Sequence, residues 1–282
     1  MTDEAPAPLS RWQTDGIPSM DRPGPAGRLL AGLMRFAEQL NRRFAVLGNP
    51  AVYDNGVFPW APAIEREWET IREELERVLL RQGELPNVQD ITRAAASINR
   101  DLGWKIFLLE AYGIRSQPSI ALCPETWRTV QGIPGLTTAM FSVLEPGKRL
   151  PLHRGPYNGV LRLHLGLVVP EPANRAAITV AGYTRHWEEG RVLIFDDAYE
   201  HEAWNETDQP RVVLFVDFEK PLRLPARWLN RLLLRLAPLT PYLREGAENL
   251  HAWERRFYGG DSFGTAPSVT QAGKSRGSSK ES

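Results

Sequence analysis

HRGPYNGVLRLHLGLVVP (153–170), WEEGRVLIFDDAYEHEAWN (187–205) and RVVLFVDFEKP (211–221) decide the fold. Each sets a short apolar run against polar turn residues, the pattern of a β-strand bounded by turns. Working outward, WKIFLLEAYG (104–113), LTTAMFSVLEPG (136–147) and AAITVAGYTRHW (176–187) read the same way, with a turn at Pro146-Gly147. Many short strands separated by Gly and Pro turns predict a sandwich or barrel.

The central stretch also holds the residues that carry chemistry. His153 and His201 each lie in a polar turn beside an apolar strand. Imidazole suits Fe(II), and a barrel brings two strand ends together around one ion. The usual non-haem iron triad places a carboxylate two residues after its first histidine; here that residue is Gly155, so the site would have two protein ligands. Spacing alone leaves ordinary histidines as the alternative. Arg162 and His164 are i and i+2 on one strand and so share a face, while Leu161, Leu163 and Leu165 share the other. Arg211 opens the run VVLFV, which reads as buried on both faces. Inward cations are costly unless an anion answers them. Two arginines suit a dicarboxylic acid; structural pairing with Asp196, Asp197 or Asp217 is the alternative. Asp196 and Asp197 either orient His201 from behind or only form a turn. Trp204 either walls the pocket or packs, and Glu188 and Glu189 read as solvated.

The flanks read as helical. Residues 26–45 space Leu29, Leu30, Leu33, Phe36, Leu40 and Phe44 at helical period, accompanied by Arg28, Arg35, Arg42 and Arg43. This helix either packs on the core or lies on a membrane surface. Residues 62–82 predict one long helix with Ile64, Trp68, Ile71, Leu75, Val78 and Leu79 on a face, and 88–100 a short one. ARWLNRLLLRLAPL (226–239) sets Arg227, Arg231 and Arg235 on one stripe against Trp228, Leu229, Leu232, Leu233 and Leu236.

These readings divide the chain into a disordered arm (1–25), an N-terminal helical region (26–102), a β domain (103–222), C-terminal helices (223–259) and a disordered tail (260–282). Lys+Arg and Asp+Glu balance at 34 each, so no overall basic excess points to nucleic acid. A single cysteine suits a reducing compartment. The acidic, proline-rich start is not a secretory signal, and no run approaches the roughly 20 apolar residues a spanning helix needs. The expected location is cytoplasmic, with peripheral contact at the inner face of the plasma membrane.

EPGKRLPLHRGPYNGVLRLHLGLVVP (145–170), WEEGRVLIFDDAYEHEAWN and PRVVLFVDFEKP (210–221) resemble, in order and spacing, the aspartyl/asparaginyl β-hydroxylase family of Fe(II)- and 2-oxoglutarate-dependent oxygenases. The resemblance implies a mainly β fold with flanking helices around a double-stranded β-helix, a cupin-like jelly roll. It implies that His153 and His201 ligate Fe(II). Arg211 with Ser142 would bind the distal carboxylate of 2-oxoglutarate, and Arg162 and His164 would hold its other end, with O2 as the second co-substrate.

GWKIFLLEAYG (103–113), CPETWRTVQGIPGLTTAMFSVLEPGK (123–148) and HRGPYNGVLRLHLGL (153–167) look closest to bacterial lipid A and ornithine-lipid hydroxylases. That branch implies hydroxylation at C2 of a fatty acyl chain. Val160 stands where the peptide-hydroxylating branch carries an arginine, which weakens an acidic peptide as substrate. The long hydrophobic N-terminal segment expected of an anchored lipid A hydroxylase is not seen. Hydroxylation of aspartyl or asparaginyl residues or of a small amino acid is the alternative, and a non-catalytic cupin-like binding module a further one.

Overall fold

The computed structural model describes residues 25–92 and 101–259. The expected arm as far as residue 24, residues 93–100 of the helix expected at 88–100, and the tail from 260 lie outside the described residues.

Two antiparallel sheets, of six and four strands, face each other as a double-stranded β-helix. The larger has the order β2 (Ile114–Arg115), β1 (Trp104–Ala111), β3 (Leu136–Leu144), β10 (Arg211–Glu219), β5 (Val160–Val168), β8 (Val192–Phe195). The smaller has the order β4 (Arg149–His153), β9 (His201–Asn205), β6 (Ala176–Val180), β7 (Tyr183–His186). β10 is central, and Arg211 through Phe218 are all buried, because both faces of the large sheet are covered. That double cover is why VVLFV reads as a continuous apolar run rather than an alternating one.

Helices cover the outer face. The stretch 62–82 is two helices, α2 (Ala61–Arg66) and α3 (Trp68–Leu79), rather than the one predicted. The chain breaks at Glu67, whose ψ of 6° leaves the helical well. α2 can then turn Glu65 toward β8, where it accepts from Val192 N at 3.0 Å, while α3 lays Ile71, Leu75 and Val78 into the core. α4 (Val88–Ile91), α5 (Gln117–Leu122) and α6 (Pro124–Val130) are short. α8 (Pro241–Gly259) sets Trp253 edge-on to Phe107 of β1.

Residues 176–187 are a hairpin and not a single strand. Ala181 and Gly182 turn it, both at positive φ (48° and 84°), the requirement of a tight two-residue hairpin turn. A lone glycine is a weak signal for it.

α1 (Pro25–Phe44) and α7 (Ala226–Leu236) lie together against the loop that joins β4 to β5. Asn41 Nδ2 donates to Tyr157 OH at 3.0 Å and to Asn158 Oδ1 at 3.1 Å. Asn158 Nδ2 donates to the Glu38 carbonyl at 3.0 Å. From α7, Asn230 Nδ2 donates to the Gly159 carbonyl at 2.9 Å. A Cβ on Gly159 would lie 2.0 Å from Asn230 Oδ1 and 2.1 Å from the Tyr157 ring. Gly159→Ala is therefore expected to destabilise the protein by about 1–3 kcal/mol through overpacking, measured as a lower urea midpoint at unchanged slope. Among the described residues no helix is long and apolar enough to cross a membrane.

Candidate active site

The two histidines stand opposite each other across the β4–β9 pair. Both are on strands, not in the turns that the sequence suggests: His153 ends β4 and His201 begins β9. The pairing runs Leu150↔Ala203 and then His153↔His201, so β4 carries one extra residue in a bulge. Strict alternation from buried Leu150 would send Leu152 inward. The bulge instead leaves Leu152 59% exposed and turns His153 toward His201. The ring centroids are 4.2 Å apart.

Backbone carbonyls fix both tautomers. His153 Nδ1 meets the Pro151 carbonyl at 2.7 Å, and His201 Nδ1 the Tyr199 carbonyl at 2.9 Å. A carbonyl only accepts, so each Nδ1 carries the proton and each Nε2 the lone pair. Burial lowers both pKa values; Arg162 lowers both further, and His153 also lowers His201. Two neutral imidazoles with paired Nε2 lone pairs fit a divalent metal.

Gly155 meets a carboxylate from elsewhere in the chain. Its N donates to the Asp197 carbonyl at 2.7 Å, and a Cβ at Gly155 would lie 2.2 Å from Asp197 Oδ2. The space a triad carboxylate would need is thus filled by Asp197, which also bonds Arg162 Nη2 at 2.8 Å. Among the described residues no set of three His, Cys, Asp or Glu side chains is arranged to hold a metal ion. Asp196 takes the turn role: its carbonyl accepts from Tyr199 N and its Oδ1 from Ala198 N. Its Oδ2 accepts from buried Lys220 at 2.7 Å.

On the inner face of the large sheet, register brings the remaining candidates together. Ser142 pairs with Val213, Phe215 with His164, and Asp217 with Arg162. Ser142, His164, Arg162 and Arg211 therefore share one face. Their states differ. Arg162 Nε and Nη2 bond Asp217 at 2.8 and 3.0 Å, so the structural pairing expected as one alternative is present. Its Nη1 is in neither aspartate pair. Asp217 and Asp197 share this one guanidinium, and burial raises the Asp197 pKa more than Arg162 lowers it.

Arg211 has no such partner. It is 2% exposed, and its Nε and Nη1 lack any hydrogen bond. Burial alone pulls its pKa down to about 9, the mark of a charge that no anion answers. Its guanidinium lies 4.4 Å over the Trp187 ring. Trp187 Nε1 also donates to His164 Nδ1 at 3.3 Å. An indole only donates, so His164 Nδ1 accepts and Nε2 carries the proton. That buried Nε2–H has no partner either. His164 is held neutral by burial, with Arg211 and Arg162 adding to the effect. Ser142 Oγ accepts from Trp104 Nε1 at 3.0 Å, which leaves its own proton to donate. The inner face of the large sheet thus presents buried donors at Arg211, His164 and Ser142, with no hydrogen-bond acceptor for Arg211 Nε and Nη1 or His164 Nε2 among the described residues.

Trp104 and Trp187 are site residues that sequence reading passes over. Both occur inside the quoted segments, but aromatic residues in strand-like runs read as core. Trp204 does not enter the pocket's bonding; Arg149 lies 5.0 Å over its ring. Glu189 bonds Arg72 and Val169 N rather than standing free.

A family model described as aspartyl/asparaginyl beta-hydroxylase matches residues 65–221. The chain is 56% identical over 257 residues to an ornithine lipid ester-linked acyl 2-hydroxylase of Rhizobium tropici, covering 91% of this chain and 92% of that protein. It is 32% identical over 177 residues to the aspartyl/asparaginyl beta-hydroxylase of Homo sapiens, covering 61% of this chain and 22% of that protein. A prolyl-4-hydroxylase structure from Pseudomonas putida aligns over 57% of this chain and 98% of its own, at 16% identity and a TM-score of 0.36.

Proposed function

This chain belongs to the aspartyl/asparaginyl β-hydroxylase family, and from that premise we propose that it is an Fe(II)- and 2-oxoglutarate-dependent dioxygenase that hydroxylates C2 of a fatty acyl chain in a bacterial membrane lipid of the ornithine-lipid type. One observation carries the reading of the site. A buried guanidinium and a buried imidazole N–H, both without acceptors, lie in the same barrel as two histidines fixed with lone pairs on Nε2.

In this reading His153 and His201 hold the iron through Nε2. Arg211, with Ser142, takes the distal carboxylate of 2-oxoglutarate as a charged hydrogen-bonded pair. His164 Nε2–H meets an oxygen at the near end, with Arg162 beside it. Trp187 serves as a positioning residue, since it supports the Arg211 plane and sets the His164 tautomer. Asp197, held against Gly155 by Arg162, lines the position next to the histidine pair. When bound, the iron and 2-oxoglutarate supply the oxidation: O2 is consumed, 2-oxoglutarate becomes succinate and CO2, and the substrate C–H becomes C–OH. The protein's part is to exclude water and fix geometry.

The lipid substrate is supported by near full-length likeness to a protein named for acyl 2-hydroxylation, and by Val160 in place of the arginine expected of peptide hydroxylases. The test is mass spectrometry of whole lipid extracts from source cells with and without the gene. An ornithine lipid with one extra oxygen that vanishes on deletion is expected. An unchanged lipid profile, with the protein expressed and active on an aspartyl peptide, would overturn the lipid assignment.

A further inference from the structure

α1 and α7 leave large apolar side chains facing outward. On α1, Leu29 and Phe36 are 77% and 56% exposed; on α7, Trp228 is 71% exposed. Leu33 and Leu232 are exposed beside them. The side turned to the barrel buries small and polar residues: Ala37, Glu38 and Asn41 on α1, Ala226 and Asn230 on α7. A helix on a water-facing surface is built the other way round. Core packing, one of the two roles open to the first helix from sequence, accounts for Ala37 and for half-buried Leu40 and Phe44, but not for Leu29, Leu33 and Phe36.

Charge marks the same face. Arg28, Arg35, Arg42 and Arg43 on α1 and Arg227, Arg231 and Arg235 on α7 are exposed. The one acidic residue within either helix is Glu38, which is buried. Of these arginines only Arg231 holds a carboxylate, Glu219, among the described residues. The whole chain balances at 34 basic and 34 acidic residues, so this excess is local.

We propose that the α1–α7 face docks on an anionic phospholipid bilayer. Exposed leucines, a phenylalanine and a tryptophan interleaved with arginines match a lipid interface, where apolar side chains enter the acyl boundary and arginines meet lipid phosphates. A second copy of the chain fits poorly, because a twofold contact through this face would set arginine against arginine. The face is also fixed to the candidate site. Glu38 and Asn41 from α1, and Asn230 from α7, bond the 158–159 backbone or side chains in the loop that leaves His153. Docking would therefore bring the histidine pair to the lipid surface as part of one body. The inference extends the lipid reading of the site, but binding can be measured apart from catalysis.

The full chain, without iron or 2-oxoglutarate, is co-sedimented with vesicles of phosphatidylcholine alone and of equal parts phosphatidylcholine and phosphatidylglycerol. Binding to the mixed vesicles is expected, weakening as salt rises, with little binding to phosphatidylcholine alone. Neutralising Arg28, Arg35 and Arg227 together to Gln is expected to weaken binding about a hundredfold, at about fivefold each. Trp228→Ser with Leu232→Ser is expected to abolish the binding that survives at high salt. All five side chains are exposed, so matched thermal melts are expected to accompany the loss. Equal binding to both vesicle types, no binding to either, unchanged binding of the arginine variant, or a solution dimer that shields Trp228 would overturn the proposal. If lipid hydroxylation persists in any of those cases, only the docking surface is wrong; vesicle binding without any hydroxylation would sink the catalytic reading instead.

Discussion

His201→Ala is expected to lower lipid hydroxylation by about a thousandfold or more, because the proposed metal ligand would supply several kcal/mol of metal-dependent stabilisation. The barrel should remain folded. His201 opens β9, whose place is held by backbone pairing to β4 and β6, and its buried imidazole is neutral, so truncation strands no charge. Two readouts separate a ligand from a structural role. Iron retained after desalting should fall with activity, while the urea midpoint moves little. His186→Ala is the matched control: its Nδ1 meets the Ala176 carbonyl on β6, away from the pocket, so iron content and turnover are expected to hold. Full activity in His201→Ala would remove it from the metal.

Arg211→Met should show the opposite balance. The KM for 2-oxoglutarate is expected to rise by the equivalent of about 2–5 kcal/mol, the cost of losing one partner of a buried charged pair. Iron binding should be unchanged. The free protein should melt at the same or a higher temperature, since a buried guanidinium without an anion is a cost that methionine does not carry. The wild type should instead be raised by 2-oxoglutarate, by about 2.7 kcal/mol at a hundred times its Kd, and the variant should lose that rise. A KM left unchanged would return Arg211 to a structural role.

How much of this was readable from residues alone depends on local regularity. β3, β5, β8 and β10 are legible because their apolar runs follow burial directly. β4 is not, since its burial pattern, with only Leu150 buried, breaks the alternation that identifies a strand. The histidines and Arg211 could be picked out by type, but spacing left Arg211, and with it Arg162, between an anion and an aspartate. Only the fold brings Asp217 across from it on β10 and Asp197 in from the loop before His201. Trp187 escapes for a different reason. Its importance is a shared contact, one ring under Arg211 and one N–H on His164, and no linear pattern records sharing. The apolar stripe of α1 is visible in its period, yet period does not say which side faces water.

The β4 bulge also says what can vary at this centre. His153 points inward because of how many residues separate it from Leu150, and its Nδ1 is held by a carbonyl that every amino acid carries. Pro151 and Leu152 contribute length and backbone. Drift in their identity leaves the imidazole where it is, whereas one codon gained between Leu150 and His153 would turn it away. Natural variation in this segment should therefore be rich in substitutions and poor in insertions.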